Sequence, residues 1–90
     1  MNNNEKIDVN LIKIINDYYN DKISLFDFET KLIEFPFNNV SEETEYLIAE
    51  IQEYVGYTTK GKLTEEDKQD GLMTENDLKN KLHKYLLDIN

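Results

Sequence analysis

Carboxylates are the side chains best able to do chemistry in this chain, and they are concentrated in the middle of the sequence. Nineteen Asp and Glu stand against ten Lys, with no arginine and no cysteine, and the formal net charge is −9. The segment 24–56 alone holds eight acids and one lysine. Such a charge distribution attracts basic proteins and repels nucleic acid and anionic membrane surfaces. The composition therefore favours a protein that binds a positively charged protein.

Catalytic and metal-binding patterns are poorly represented. His83 is the only imidazole, and no cysteine is present to complete a transition-metal site or a thiolate nucleophile. The acidic run 66–77 has partial calcium-loop spacing, with Asp70 and Gly71 at the fifth and sixth positions. Lys68 would then occupy the third ligand position, and an ammonium group cannot donate an oxygen to calcium. Adjacent carboxylates without pocket walls are typical of solvated surface. We expect no enzyme, no cofactor and no metal.

A row of exposed carboxylates has another use. It can occupy the cationic groove with which a nuclease holds phosphates, because Lys and Arg bind both groups through the same charge-assisted hydrogen bonds. Tyr46, Tyr54 and Tyr57 flank the acidic stretch, and tyrosine is enriched at interfaces. The alternative is that Tyr54 is core and that the carboxylates only keep the protein soluble. The residues alone leave both interpretations open.

Helices must position these side chains, since apolar residues recur at helical spacing in four places and no alternating pattern is sustained. The first helix should cover about 8–19, followed by a turn at 20–21. The second opens at Ser24, where Ser-Leu-Phe-Asp fits a capping box. It should stop around Glu34, because Pro36 disfavours helical geometry at the preceding residue.

The third helix should cover 41–55, with a serine N-cap, and Gly56 should supply the left-handed residue that commonly ends a helix. The segment 57–73 is expected to be a long exposed connection. Within it, 64–67 fits a capping box for one brief helical turn. Another capping box at Thr74 opens the last helix.

Four amphipathic helices of this length can bury their apolar stripes only against one another. We therefore predict a single all-α domain over 1–90, a compact antiparallel four-helix bundle. No apolar run approaches the ~20 residues that span a bilayer, and the first residues lack signal-peptide features, so we expect a cytoplasmic protein that is monomeric when free. The predicted core residues are Leu11, Ile12, Ile14, Ile15, Tyr18, Tyr19, Leu25, Phe28, Leu32, Phe35, Leu47, Ile48, Ile51, Tyr54, Val55, Leu78, Leu82, Tyr85, Leu86 and Ile89, with Ile12 and Tyr19 at the margin of the first helix's stripe.

The order of segments is itself informative. A first helix begins at Ile7-Asp8, the segment 22–29 reads Lys-Ile-Ser-Leu-Phe-Asp-Phe-Glu, a Ser-capped third helix is rich in Glu, and Asp77-Leu78-Lys79 enters the closing helix. This pattern, from about residue 7 to 86, resembles the colicin D-type immunity proteins. These are small bacterial helical proteins that protect a toxin-producing cell from its own nuclease.

The resemblance implies a non-catalytic four-helix protein whose partner is the basic C-terminal nuclease domain of a cognate, tRNA-cleaving toxin. Its acidic surface would stand in for the phosphates of the RNA. The family's inhibitory carboxylates lie near the end of the third helix and just after it. Glu53 matches the helix-end position and Glu50 lies one turn earlier, but 56–59 replaces the family's acidic stretch. The expected partner-binding residues are Glu50, Glu53, Tyr54, Tyr57, Glu65, Glu66, Asp67 and Asp70.

Two other classes of function remain open. An acidic helical adaptor or regulatory protein that binds a basic partner unrelated to any toxin would have the same charge. An acyl carrier protein holds its prosthetic group on the serine of an Asp-Ser-Leu motif at a helix start, which Ser24-Leu25 faintly resembles. Ile23 stands where that aspartate should be, and an N-cap role already accounts for Ser24.

Overall fold

The computed structural model describes residues 7–36 and 40–89, which form five α-helices and, within those ranges, no strand. The all-α prediction is confirmed. The described residues form five helices and not four, because the brief helical turn predicted after the third helix is counted as a helix of its own. The antiparallel four-helix bundle stays a prediction. The helices are α1 Val9–Tyr19, α2 Leu25–Ile33, α3 Glu42–Gly56, α4 Glu65–Gln69 and α5 Glu75–Ile89.

Side-chain caps set the helix starts where the sequence predicted them. The Asp8 carboxylate accepts a hydrogen bond from the N–H of the second residue after it, at 2.7 Å. The hydroxyls of Ser24 and Ser41 each accept from the N–H three residues later, at 3.1 Å. At Thr64 and Thr74 both halves of the capping box are present, because the aspartate three residues on also accepts from the threonine N–H. These bonds satisfy first-turn N–H groups that have no partner inside the helix.

The end of α3 differs from the prediction. Gly56 is the last helical residue and is not left-handed; in the described ranges positive φ occurs at Asp21, Gly61 and Gly71. The next residue, Tyr57, keeps a negative φ of −95°, and its carbonyl accepts a hydrogen bond from the Met73 N–H at 2.8 Å. Because this backbone pairing already fixes the exit of the chain, no left-handed residue is needed. The prediction for Gly56 is wrong.

One core collects the apolar stripes of the four longer helices. Of the predicted residues, Ile14, Tyr19, Leu47, Tyr54 and Tyr85 are half-buried and pack against it. Ile12 is half-buried but lines an open groove, and the side chain of Ile89 lies outside the described part. A polar residue that the apolar pattern did not flag, Thr44, is fully buried. The buried apolar residues are Leu11, Ile15, Tyr18, Leu25, Phe28, Leu32, Phe35, Ile48, Ile51, Val55, Leu78, Leu82 and Leu86.

Tyr18 joins α1 to the start of α5 within this core. Its hydroxyl donates a 2.6 Å hydrogen bond to Glu75, and its ring stacks on Phe28 with the centroids 4.6 Å apart. Lys79 lies over the same ring at 5.3 Å and forms an ion pair with Asp21. Burial, followed by the hydrogen bond to Glu75 and the charges of Glu75 and Asp21, raises the pKa of Tyr18 far above its ordinary value. The phenol is therefore a neutral donor at any physiological pH.

Helix α1 occupies a central place in the packing order. It packs against both α5 and α2, and α2 in turn packs against α3. Helices α3 and α5 are linked by a cation–π contact. The ammonium of Lys81 in α5 lies 4.8 Å from the centroid of the Tyr54 ring in α3. Beside that contact a groove opens between α3, α5 and the start of α1. No helix in the described ranges has the length and apolar content needed to cross a bilayer.

Candidate protein-binding surface

The outward side of α3 is acidic along its length. The helix buries Thr44, Ile48, Ile51 and Val55. At 100° per residue, the opposite side of the helix carries a set of exposed residues that we term the α3 acidic face. No lysine occurs in α3. The α3 acidic face consists of Glu42, Glu43, Tyr46, Glu50 and Glu53.

The carboxylates of this face are not neutralised by the protein itself. Ion pairs within the described ranges are confined to Lys13–Asp17, Lys68–Glu65 and Lys79–Asp21. None of them involves a residue of α3. Cations of a partner can therefore pair with these carboxylates without first displacing an internal lysine, which makes the α3 acidic face a favourable site for a basic protein.

Tyr54 lies at the inner edge of the predicted site. It is half-buried and packs against the core, with Lys81 over its ring. Partial burial, then the charges of Glu50 and Glu53 and a hydrogen bond with Glu50, raises the pKa of its phenol. Tyr54 is therefore both a partly buried core residue and a neighbour of the candidate binding residues. Its ring supports the contact between α3 and α5, while its polar end lies beside the two glutamates expected to bind a partner.

Tyr57 and the acids of α4 belong to the next segment of the chain. Tyr57 is 47% exposed, and Thr58 pairs with Met73 in an isolated parallel bridge that holds the two ends of the connection together. Of the α4 acids, Glu65 lies 3.8 Å from Lys68, and Asp67 is used as the capping-box acceptor. Glu66 and Asp70 are exposed like Glu65.

The predicted site therefore consists of two parts. Glu50, Glu53 and Tyr54 share α3, whereas the acids of 65–70 lie on a short separate helix. Across the described ranges no hydrogen bond or ion pair joins the two sets; the Thr58–Met73 bridge pairs the exit from α3 with the residues just before α5.

The site prediction omitted three residues of the α3 acidic face: Glu42, Glu43 and Tyr46. Glu42 and Glu43 lie in the first turn of α3, where negative charge is favourable, so a helix-stabilising role is sufficient to account for them. The helical spacing could have identified Glu42 and Tyr46. Positions 42, 46, 50, 53 and 57 are spaced by four or three residues, the same period as the buried stripe of α3.

The other residues considered for chemistry, namely His83, Ser24 and the acidic run 66–77, make structural contacts or belong to helices. The Nδ1 of His83 lies 3.1 Å from the Tyr19 hydroxyl, and the two rings stack with centroids 5.8 Å apart. The Ser24 hydroxyl caps α2. Most of the calcium-like run is taken up by α4 and by the first turn of α5. Within the described ranges, no group of three or more His, Cys, Asp or Glu side chains is arranged to hold a metal ion.

Comparison with known proteins identified no relative of this chain. No protein-family model matches the chain, and no match was found among curated proteins or among solved structures. The resemblance to colicin D-type immunity proteins therefore rests on the sequence segments quoted above.

Proposed function

We propose that this chain is an immunity protein that binds the basic C-terminal nuclease domain of a cognate bacterial toxin in the cytoplasm and blocks its RNA-binding cleft. The observation that carries the proposal is the α3 acidic face, an entire exposed helix side with carboxylates that no described lysine neutralises. The proposed protein is a monomer when free. It performs no catalysis and requires no cofactor or metal, since it acts by occupying a surface.

The dimensions of the face suit an extended cleft. Eleven steps along the helix separate Glu42 from Glu53, and at about 1.5 Å per residue the carboxylates are distributed over about 16 Å. A nuclease that holds several successive phosphates presents a row of lysines and arginines, which bind carboxylates through the same charge-assisted hydrogen bonds. Tyr46, 79% exposed in the middle of the face, adds a large amphipathic contact of the kind enriched at interfaces.

The α4 acids would enlarge this surface beyond the end of α3. Their segment starts and ends at the Thr58–Met73 bridge, directly after Tyr57. In the family that the chain resembles, acids near the end of the third helix and just after it make the contact; here 56–59 carries no acid, and acids return only at Glu65. We assign the α3 pair Glu50 and Glu53 the larger role, because Asp67 is already engaged in a cap and Glu65 in a weak ion pair.

Co-expression tests this proposal directly. The chain is expressed with the C-terminal domain encoded by the neighbouring toxin gene, growth is scored, and the complex is isolated. We expect rescue by the wild type and loss of rescue by the double variant Glu50→Lys/Glu53→Lys. The matched control is Glu29→Lys/Glu34→Lys, which makes the same change in net charge at two exposed positions of α2 or its C-cap.

The possible results separate the alternatives. Circular dichroism and thermal melting should show the same helix content for the wild type and for both double variants, because all four glutamates are exposed. Protection by Glu50→Lys/Glu53→Lys equal to that of the wild type would refute the assignment of the α3 acidic face. A toxic neighbour that the wild type does not neutralise, or the lack of any toxic neighbour, would return the protein to the class of acidic helical adaptors.

A further inference from the structure

An apolar groove lies along one edge of the α3 acidic face, and Glu42, Glu43, Tyr46 and Glu50 of that face also line it. It has a volume of about 950 Å³ and is open to solvent between the start of α1, the first half of α3 and the end of α5. Val9 is 74% exposed at its edge. Exposed apolar surface of this kind, rimmed by polar groups, marks interaction sites in soluble proteins. The apolar and aromatic lining residues are Ile7, Val9, Ile12, Tyr46, Leu47 and Tyr85.

The rim of the groove has one sign of charge. Its ionisable side chains are Glu42, Glu43 and Glu50 from α3 and Asp88 from α5, and no lysine is among the described lining residues. An occupant of this groove must therefore offer an apolar side chain for the floor and cations for the rim. A second copy of the chain, with a net charge of −9, would place acid against acid and is disfavoured.

We propose that the groove binds an amphipathic basic helix of the partner. An apolar side chain of that helix packs between Val9 and Leu47 while lysines or arginines on either side pair with the rim carboxylates. This is the helix-in-groove mode of recognition, in which apolar anchors recur on one face of the bound helix. The identity of the partner as a toxin nuclease domain rests on the proposed function. The groove adds an apolar anchor to a contact that is otherwise made mainly of exposed charges and Tyr46.

A single substitution distinguishes apolar binding in the groove from electrostatic attraction alone. Val9→Glu removes an apolar lining residue and makes the protein more acidic, and an acid is favourable in the first turn of α1. We expect its affinity for the nuclease domain to fall about tenfold or more, the range expected for loss of a buried apolar contact. The matched control Phe26→Glu adds the same charge at a 68% exposed position in the first turn of α2, outside the groove, and its affinity should equal that of the wild type.

A peptide titration provides a test that needs no toxin. The isotope-labelled full chain is titrated with two synthetic 14-residue peptides of equal charge, an amphipathic Leu/Lys helix and the same peptide with every Leu replaced by Ser. We expect saturable NMR shifts at Val9, Leu47 and Tyr85 with the first peptide only. Equal shifts with both peptides, or shifts centred on α4, would overturn the proposal, as would a concentration-dependent dimer of the wild type that Val9→Glu abolishes.

The two proposals fail in different ways. Rescue from the toxin by the wild type, combined with undiminished affinity of Val9→Glu, would refute the groove and leave the immunity function standing. Selective binding of the Leu/Lys peptide in the groove, without protection against any neighbouring toxin, would refute the immunity function and leave a groove for basic amphipathic helices.

Discussion

Replacing Tyr18 by Phe tests whether a single buried hydrogen bond fixes α5 against α1. The substitution keeps the ring that stacks on Phe28 and removes only the hydroxyl that donates to Glu75 at 2.6 Å. Because α5 carries Tyr85 and Asp88, its position also sets one wall of the groove. The prediction therefore links core stability to the geometry of the binding surface.

The expected loss follows from the charge of the acceptor. A hydrogen bond to an ionised group contributes about 1.5–3 kcal/mol, and after the substitution Glu75 is left without this donor. A domain of this size has a total stability of about 5–15 kcal/mol, so Tyr18→Phe should remove a substantial part of it. The melting temperature should fall by at least about 6 °C.

The pH dependence provides a second signature. Burial and Glu75 raise the pKa of Tyr18 in the folded state, whereas the unfolded chain has an ordinary tyrosine pKa of about 10. Above pH 10 the unfolded state loses a proton that the folded state retains, so the free energy of unfolding falls by about 1.4 kcal/mol per pH unit. The stabilisation from Tyr18 is thus complete below pH 10 and is lost as the pH rises. Tyr18→Phe should lessen this slope, and the raised pKa of Tyr54 should maintain part of it.

Urea unfolding followed by circular dichroism at pH 7, 9, 10.5 and 11.5 measures both effects. The matched control is Tyr46→Phe, which removes the hydroxyl of a tyrosine that is 79% exposed and should leave the stability at pH 7 unchanged. The reasoning is refuted if Tyr18→Phe unfolds at the same urea concentration as the wild type at pH 7. It is equally refuted if the two proteins lose stability in parallel above pH 10.

Two further predictions concern the start of α1 and the association with a partner. The Thr44 hydroxyl accepts a 2.9 Å hydrogen bond from the Asp8 N–H, so Thr44→Val should lower the free energy of unfolding by about 1–3 kcal/mol; an unchanged urea midpoint would contradict this role. Raising the ionic strength from about 0.1 to about 1 M shortens the Debye length from about 10 to about 3 Å. The association rate with the proposed nuclease partner, measured by stopped flow, should then fall at least about tenfold. A rate indifferent to salt would favour an apolar contact alone.

Local sequence signals predicted the helices well because each depends on chemistry close in the chain. Ser24, Ser41, Thr64 and Thr74 cap helices where their hydroxyls were expected to, and α2 ends before Pro36. The errors arise where distant residues decide the outcome. The exit from α3 at Gly56 depends on pairing with Met73, and no pattern within the helix reports that contact.

The candidate site was predictable in its chemistry and less so in its position. Composition showed an excess of carboxylates, and the resemblance to the colicin D-type immunity proteins indicated Glu50 and Glu53, which are exposed on α3. The groove was not predicted, because it depends on how far α3 and α5 stand apart around α1. Apolar residues such as Val9 were also hard to assign, since periodicity does not distinguish a core position from one that lines an open groove.

The bridge between Thr58 and Met73 has a consequence for how such a protein can diversify. Because the ends of 59–72 are held side by side by two backbone hydrogen bonds of 2.8 and 2.9 Å, chain inserted or removed between them alters loop-closure entropy only slowly with length. The helix α4 has no buried residue, so its exchange leaves the core untouched. This segment can therefore change in length and in its pattern of acids while the four longer helices that form the core stay the same.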